Sequence, residues 1–323
     1  MPKSAQASES KTRDALAGMA GVSQVAVGMP ISRHPPAQIR TGAANASGSY
    51  KVDELALEYS RQCFADSPID TVRGEDLDGF DGLLKANKAR SKWLVLYNSA
   101  TPSEGRKRFT IAHEFGHYIL HRHQQDLFEC GDDIETGDNN ERDIEAEADL
   151  FASTLLMPLD DFRRQVDGQP ISFDLLGHCA DRYGVSLTAA ALCWTEIAPK
   201  RAVLIASRDD HVLWAKSNKA ALRSGAYFAT RKNIIELPRD ALAHSSNALA
   251  AGQQQTTPAR LWFPREPETM MVNEMIRDAG QYEYTLTLPL LPEAEWQGAH
   301  HDDEEPEEDT YDRFIRNGQY PVR

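Results

Sequence analysis

The stretch RFTIAHEFGHYILHRH, residues 108–123, contains histidines and a carboxylate at spacings that suit metal chemistry. His113 and His117 are four residues apart, so on a helix they lie on one face, one turn apart. Two imidazoles placed in this way can bind one ion at ~2.1 Å each. Glu114 lies on the same side of the helix, where it can take a proton from water at the metal. The H-E-x-x-H pattern therefore predicts the hydrolytic chemistry of zinc peptidases.

The rest of this helix favours a metal site over the alternative, in which two histidines are simply polar surface. The helix has an apolar back, and burying unpaired imidazoles and a carboxylate beside it would be costly without a partner. Gly116 would let another element approach the helix closely. The residues of the apolar back are Phe109, Ile111, Phe115 and Ile119.

Three groups compete to be the third ligand, and two of them lie on the same helix. His121 continues the four-residue spacing, but on a straight helix it lies ~12 Å along the axis from His113. His123 occupies the position of a third histidine in patterns where a glycine turns the chain out of the helix. In this chain the position of that glycine is occupied by Leu120, a strong helix former. The helix should therefore continue, and His123 should point away from the metal.

The third candidate is Glu145, in the segment NERDIEAEADLFASTLLMP, residues 140–158. A carboxylate from a second helix would complete a His₂Glu site and leave the fourth position to water. Asp149, one turn further, can accept the free ring N–H of a ligand histidine and fix its tautomer. Glu141 remains a rival ligand, whereas Glu147 lies about 200° around the helix from Glu145 and should face solvent. The alternative is that this helix has only an acidic, solvated face.

The elements before the histidine helix are predicted from hydrophobic periodicity and capping residues. A helix should begin near Tyr50, and the runs GFDGLLKA and SKWLVLYNS should form a β-hairpin. Thr101 is predicted to cap the histidine helix, with Pro102 in its first turn and Glu104 completing a capping box. A polar loop should cover roughly 124–140. The second helix should then run from about Asn140 to Met157, ended by Pro158.

Taken together, the segments RFTIAHEFGHYILHR and EAEADLFASTLLMP resemble the ImmA/IrrE family of metallo-endopeptidases, over about residues 52–200. The resemblance implies that His113, His117 and Glu145 bind the metal and that Glu114 is the catalytic base. Asp149 stands where many members have Asn. The implied cofactor is Zn²⁺, with Mn²⁺ as the alternative. The implied role is a cytoplasmic protease that cleaves a helix-turn-helix repressor and so releases stress-response or mobile-element genes.

The segment 173–197, FDLLGHCADRYGVSLTAAALCWTEI, has the pattern of a helix-turn-helix, with small residues at the turn and Ser186 as a cap. Its second helix has no Arg, Lys, Asn or Gln to reach bases or phosphates, so a structural or partner-docking role is expected. Beyond it, residues 201–292 suggest an α/β domain with a hairpin, a helix in LPRDALAHSSNALA, and strands in ARLWFP and YEYTLTLPLL. Some relatives carry a GAF-like sensor domain in this position.

The composition of the chain narrows the classes of function that it can have. The net charge is −14, of which the segment 302–309 supplies seven, so direct nucleic-acid binding is not expected. No window reaches the ~18 apolar residues that a membrane span needs. Cys63, Cys130, Cys179 and Cys193 form no CxxC pair and suggest ordinary thiols of a reducing compartment, more typical of a core than of a ligand set.

The predicted fold is therefore α+β. It comprises a zincin-like mini-domain over 50–168, with a helix, a β-hairpin, the H-E-x-x-H helix and a Glu-bearing helix. A helix-turn-helix-like segment over 169–200 and a C-terminal α/β domain over 201–293 should follow. Residues 1–49 and 294–323 are predicted to be disordered tails. Two other functions remain open: a non-catalytic DNA-binding or adaptor regulator, and a toxin–antitoxin component.

Overall fold

The computed structural model describes residues 51–130, 139–228, 234–244, 254–280 and 283–293, with side chains of the second range given from residue 143. Within these residues the chain is mixed α+β, as predicted, with seven α-helices and two sheets. The predicted terminal tails lie outside the described residues, and so does the side chain of the rival ligand Glu141. No helix in the described parts of the chain is long and apolar enough to cross a bilayer.

The chain divides into two compact units. The first consists of the described residues up to Asp167 together with Cys179–Ser186, and the second contains Gly168–His178 and the described residues from Leu187 onward. The first unit has this order of elements: α1 (Val52–Cys63), β1 (Ile69–Glu75), β2 (Gly82–Ala86), β3 (Trp93–Asn98), α2 (Glu104–His121), β4 (Leu127–Cys130), α3 (Asn139–Leu156) and α4 (Leu159–Val166).

The sheet of the first unit has the strand order β1-β3-β2-β4. The predicted hairpin is confirmed, because β2 and β3 pair antiparallel with Leu84 opposite Val95. Two further strands were not predicted: β1 pairs parallel with β3, and β4 pairs antiparallel with β2. The predicted loop over 124–140 is wrong at 127–130, where the chain adds the edge strand β4.

Helices α2 and α3 pack together over the core of the first unit. Gly116 allows this close contact, as predicted, because a side chain there would lie 3.1 Å from the Phe151 ring and 3.2 Å from the Ala148 carbonyl. The apolar face of α3 is buried and consists of Ile144, Ala148, Phe151, Ala152 and Leu155. The largest side chains of this core, all essentially inaccessible to solvent, are those of Ile69, Leu84, Trp93, Phe115, Tyr118 and Phe151.

The helix-turn-helix-like segment contains two helices, α5 (Phe173–Tyr183) and α6 (Leu187–Ile197). The turn between them places Gly184 at a φ of 62°, a left-handed conformation that glycine adopts without strain. The amide of Val185 donates to the carbonyl of Ala180 and closes this turn. The predicted turn is thus present. The boundaries of the helix-turn-helix-like segment, 169–200, stay a prediction.

The elements after α6 are β5 (Val203–Arg208), β6 (His211–Ser217), α7 (Lys219–Arg223), β7 (Gln254–Pro258), β8 (Met271–Asp278) and β9 (Thr285–Leu290). The five strands form one sheet in the order β6-β5-β9-β8-β7, in which all named pairings are antiparallel.

The hairpin predicted at the start of this unit is confirmed, because β5 and β6 pair antiparallel. Two predictions are wrong: the described part of LPRDALAHSSNALA contains only a 3₁₀ turn at Leu242–His244, and ARLWFP contains a 3₁₀ turn at Ala259–Leu261.

A buried ion pair lies in the second unit beside this sheet. The guanidinium of Arg201 forms hydrogen bonds with both carboxylate oxygens of Glu266, at 2.5 and 3.2 Å, and both side chains are buried. Arg201 also donates to the carbonyl of Pro292 at 2.7 Å. The charge is therefore paired and hydrogen-bonded, which is the condition under which burial is tolerated. Nothing in this unit tests the GAF-like expectation, which stays a prediction.

Candidate metal centre

Helix α2 carries the histidines and begins at a hydroxyl cap. The hydroxyl of Ser103 accepts a hydrogen bond from the amide of Arg106 at 3.3 Å, so Ser103 is the N-cap and the predicted cap at Thr101 is wrong. The chain is still extended at Ser103, which shortens the helix by two residues relative to the prediction. From there α2 continues unbroken through Leu120 to His121, as the helix propensity of Leu120 predicted.

Three predicted ligand side chains converge on one point between α2 and α3. The Nε2 atoms of His113 and His117 are 2.9 Å apart. The carboxylate of Glu145 reaches both rings, with Oε2 at 3.1 Å from Nε2 of His113 and Oε1 at 3.3 Å from Nε2 of His117. Together with Cys130, these side chains place their ligand atoms within 4.8 Å of one another.

The hydrogen bonds of the two rings show that this donor set fits a divalent cation. Nδ1 of His113 donates to Asp149 at 2.8 Å, and Nδ1 of His117 contacts Nδ1 of His121 at 3.1 Å. With both Nδ1 atoms engaged in this way, the two Nε2 atoms face each other at 2.9 Å. Burial alone would lower the pKa of His113, but its contacts with Cys130, Asp149 and Glu145 hold that pKa well above its usual value. Two ring nitrogens at this distance call for a positive charge between them, which is either a shared proton or a metal ion. Two zinc–nitrogen bonds of ~2.1 Å at a tetrahedral angle would separate the nitrogens by ~3.4 Å, close to what is found.

Each of these two histidines is oriented by an acidic side chain of α3. Asp149 accepts directly from His113 and thereby takes the position predicted for it. His117 is supported through one intermediate, because His121 contacts its Nδ1 and turns its own Nε2 to Glu147 at 3.1 Å. A carboxylate that accepts the distal N–H fixes the tautomer and raises the basicity of a ligand histidine.

The other contenders for ligation are not in the cluster. His121 is buried, but it contacts His117 rather than the common point, and His123 is exposed. Glu147 is buried instead of facing solvent, so that prediction is wrong. The angle of about 200° between Glu145 and Glu147 holds for an isolated helix. It does not take into account His121 on α2, whose ring contacts the Glu147 carboxylate. The sequence signal was present, since His121 follows His117 by four residues.

Sequence reasoning missed the contribution of strand β4. Its burial alternates, so that Phe128 and Cys130 both face the site. The Phe128 ring stacks on His117 with centroids 4.7 Å apart and planes inclined by 22°. Sγ of Cys130 lies 3.2 Å from Nε2 of His113 and 3.6 Å from Nε2 of His117. The one available signal was the two-residue spacing of Phe128 and Cys130 in a short polar segment, which is typical of a strand.

Glu114 is completely buried beside the cluster, and neither of its carboxylate oxygens has a hydrogen-bond partner among the described residues. Burial raises the pKa of Glu114 to about 8. The backbone of β2 packs tightly on this carboxyl, because a Cβ added at Gly82 would lie 2.5 Å from Oε1 of Glu114. Only glycine at position 82 leaves room for the Glu114 carboxyl.

The Glu145 carboxylate and the His117 imidazole respond differently to burial in the cluster. Burial alone would raise the pKa of Glu145, but hydrogen bonds from His113 and His117 outweigh burial and hold that pKa well below its usual value. Burial lowers the pKa of His117 to about 4. A charged Glu145 facing a neutral His117 is the protonation state in which both side chains can donate an electron pair to a metal.

Comparison with known proteins agrees with this arrangement of residues. Residues 69–194 match the IrrE N-terminal-like domain of the M78 peptidases, a stretch that contains every residue of the cluster. No curated protein matches the chain significantly. Among solved structures, a Mycobacterium tuberculosis transcriptional regulator aligns with a TM-score of 0.46 and 15% identity, over 88% of this chain and 76% of that one.

The family match covers the sheet of the first unit, both helices that carry the cluster, and strand β4. It spans the H-E-x-x-H motif and the acidic helix in one continuous stretch, so motif and geometry point to the same residues. Residues 69–194 are therefore similar to the ImmA/IrrE family, as the two motifs predicted.

Proposed function

We propose that this chain is a zinc-dependent endopeptidase of zincin-like architecture, with His113, His117 and Glu145 as metal ligands and Glu114 as the catalytic base. The observation that carries the proposal is the convergence of these three donors on one point next to a buried, unpartnered carboxylate. A buried carboxylate without a partner is costly, and it is commonly kept where it acts on a substrate or water.

The residues around the site suit peptide hydrolysis. A divalent ion held by the cluster supplies Lewis-acid chemistry, polarising the scissile carbonyl and making water more acidic. Glu114 takes the proton of the attacking water and passes it to the leaving amine. Its raised pKa suits both steps, since the group must accept and then release a proton near neutral pH. Asp149 holds His113 in the tautomer that presents Nε2.

For the substrate we propose a helix-turn-helix transcriptional repressor, whose cleavage would release stress-response or mobile-element genes. The support is the match of residues 69–194 to the IrrE N-terminal-like domain, together with the two motifs that resemble the ImmA/IrrE family. A protein partner is also favoured over DNA by helix α6, all of whose residues are described. Its one exposed side chain is that of Glu196, which would repel phosphate. A cytoplasmic location follows from the same proposal.

A second candidate is a non-catalytic regulator that uses the metal for structure. The observation in its favour is Cys130, a fourth protein donor at the cluster, because structural zinc sites are filled by four protein ligands. The observation against it is Glu114, since a structural site has no use for a buried carboxylate beside the metal.

The test is metal-dependent cleavage of the repressor encoded beside this protein. The wild-type chain should cleave it and lose that activity with a chelator, whereas Glu114→Gln should bind the metal and leave the repressor intact. Glu129→Gln, which removes an exposed carboxylate from β4, serves as the matched control and should cleave normally. Equal loss of the intact repressor with wild type and Glu114→Gln would refute the catalytic role.

A further inference from the structure

The fourth donor of the cluster has no place in an open catalytic site. Sγ of Cys130 is 3.2 Å from Nε2 of His113, 3.6 Å from Nε2 of His117 and 3.9 Å from Oε2 of Glu145. These distances show that the sulfur faces the same central point as the ligand atoms of His113, His117 and Glu145. A catalytic zinc keeps one position for water, and here a thiol is held where that position would be.

The backbone holds Cys130 in this place. Cys130 is the last residue of β4 and lies opposite Gly82 in the antiparallel pair with β2. The amide of Asp81 donates to the carbonyl of Cys130 at 2.8 Å, which fixes the end of the strand. Gly82 is also the residue that packs on Glu114, so the thiol and the proposed base face the same small space.

A second observation independently points to a ligand at this place. The carboxylate of Glu114 is fully buried, unpartnered among the described residues, and aimed at the cluster. A thiol can donate only a weak hydrogen bond to this carboxylate, and a thiolate bound to a metal donates none. The pair is consistent with a base that acts only when the sulfur has left.

We propose that Cys130 is a fourth protein ligand of the metal, that the resting site is therefore closed, and that the peptidase is largely latent, cleaving slowly through the fraction of molecules whose thiolate has left the ion. Thiolate is a strong ligand for zinc, so it outcompetes water while β4 stays in place. The strand can yield at modest cost, because it has four residues and pairs with β2 alone among the described strands. Only the latency rests on the proposed function, since ligation stands without it.

Cobalt substitution tests the ligation without any substrate. Co²⁺ bound by a thiolate absorbs in the near ultraviolet by sulfur-to-metal charge transfer, and Co²⁺ bound by nitrogen and oxygen alone does not. The wild-type chain should show this band, Cys130→Ser should lose it, and Cys63→Ser, which alters an exposed thiol, should keep it. Bound cobalt without the band in the wild type would overturn the proposal, even if Cys130→Ser failed to fold.

Metal affinity and cleavage then separate the two parts of the proposal. Cys130→Ala should bind Co²⁺ more weakly by at least the ~10–100-fold typical of losing a group that only supports a ligand. At equal metal occupancy it should cleave the neighbouring repressor faster than the wild type. Cleavage no faster than wild type would overturn latency, whereas a wild type that binds no cobalt would remove the metal site and the proposed function with it.

Discussion

The hydrogen bond between Asp149 and His113 should set the metal affinity of the site. Nδ1 of His113 donates to Oδ1 of Asp149 at 2.8 Å, and both side chains are largely shielded from solvent. Asp149→Ala removes the acceptor and leaves the ring free to rotate or to change tautomer. Asp149→Asn keeps an acceptor but loses its charge. Affinity should therefore fall in the order Asp, Asn, Ala.

The size of the effect follows from the strength of this bond. A hydrogen bond to a charged partner contributes ~1.5–3 kcal/mol, and a neutral one ~0.5–1.5 kcal/mol. Complete loss corresponds to about 10–100-fold in affinity, which agrees with measured losses of outer hydrogen-bond partners at metal sites. The Asn variant should lose about 1 kcal/mol, or roughly fivefold. Because the bond also exists without metal, these values are upper limits.

The assay is competition for Zn²⁺ or Co²⁺ between the apo-protein and a chromogenic chelator. Asp143→Ala, which removes an exposed Asp from the same helix, is the matched control and should bind as tightly as the wild type. Thermal unfolding of the apo-variants shows how much of the loss falls on stability instead. An Asp149→Ala affinity within threefold of the control, with the ordinary fold retained, would show that the bond does not support the metal.

Three further outcomes are expected. Gly82→Ala should destabilise the fold by ~1–3 kcal/mol and, by displacing Glu114, slow repressor cleavage about 100-fold, while cobalt affinity measured by titration stays unchanged. Glu266→Ala should cost ~3–5 kcal/mol of unfolding free energy in denaturant titrations, because it leaves the buried Arg201 charge unpaired. For Asp161, burial alone would raise the pKa, but hydrogen bonds from Tyr183 and two arginines hold it below its usual value. Its stabilisation is then present above the unfolded pKa of ~3.9 and lost as pH falls through the folded pKa, so melting of Asp161→Asn and wild type should differ at pH ~7 and converge near pH ~2.

These outcomes can each fail in a defined way. Normal cleavage by Gly82→Ala would show that the Glu114 carboxyl has other room to move. The exposed pair of Arg260 and Glu268 provides a control for Glu266, since Glu268→Ala should cost less than ~1 kcal/mol. If the melting temperatures of the wild type and Asp161→Asn still differed as much at low pH, the stabilisation would come from the packing of the Asp161 side chain and not from its charge.

The convergence of His113, His117 and Glu145 could be predicted from sequence because helical periodicity is strict. His113 and His117 share a face wherever the helix goes, and Glu145 with Asp149 repeats that spacing on an apolar helix that must pack somewhere. The helix through Leu120 and the hairpin of β2 and β3 follow from equally local rules. Such features depend on neighbours in the chain and need no knowledge of the fold.

What escaped prediction depends on contacts between distant segments. β4 is only four residues long, and it becomes a strand because β2 offers it an edge. Cys130 therefore had no visible reason to lie near His113. Glu147 was placed in solvent because an angle on an isolated helix does not reveal that His121 on another helix will receive it. In the second unit, ARLWFP has strand composition but forms a turn between β7 and β8.

Three acidic side chains of α3, those of Glu145, Glu147 and Asp149, meet three imidazoles of α2. This alignment disfavours other sliding positions of the two helices, because a shift by one turn, ~5.4 Å, would move one end of the histidine row away from its carboxylate. A single inserted residue between Glu145 and Asp149 would instead swing one carboxylate by ~100° and dismantle the alignment.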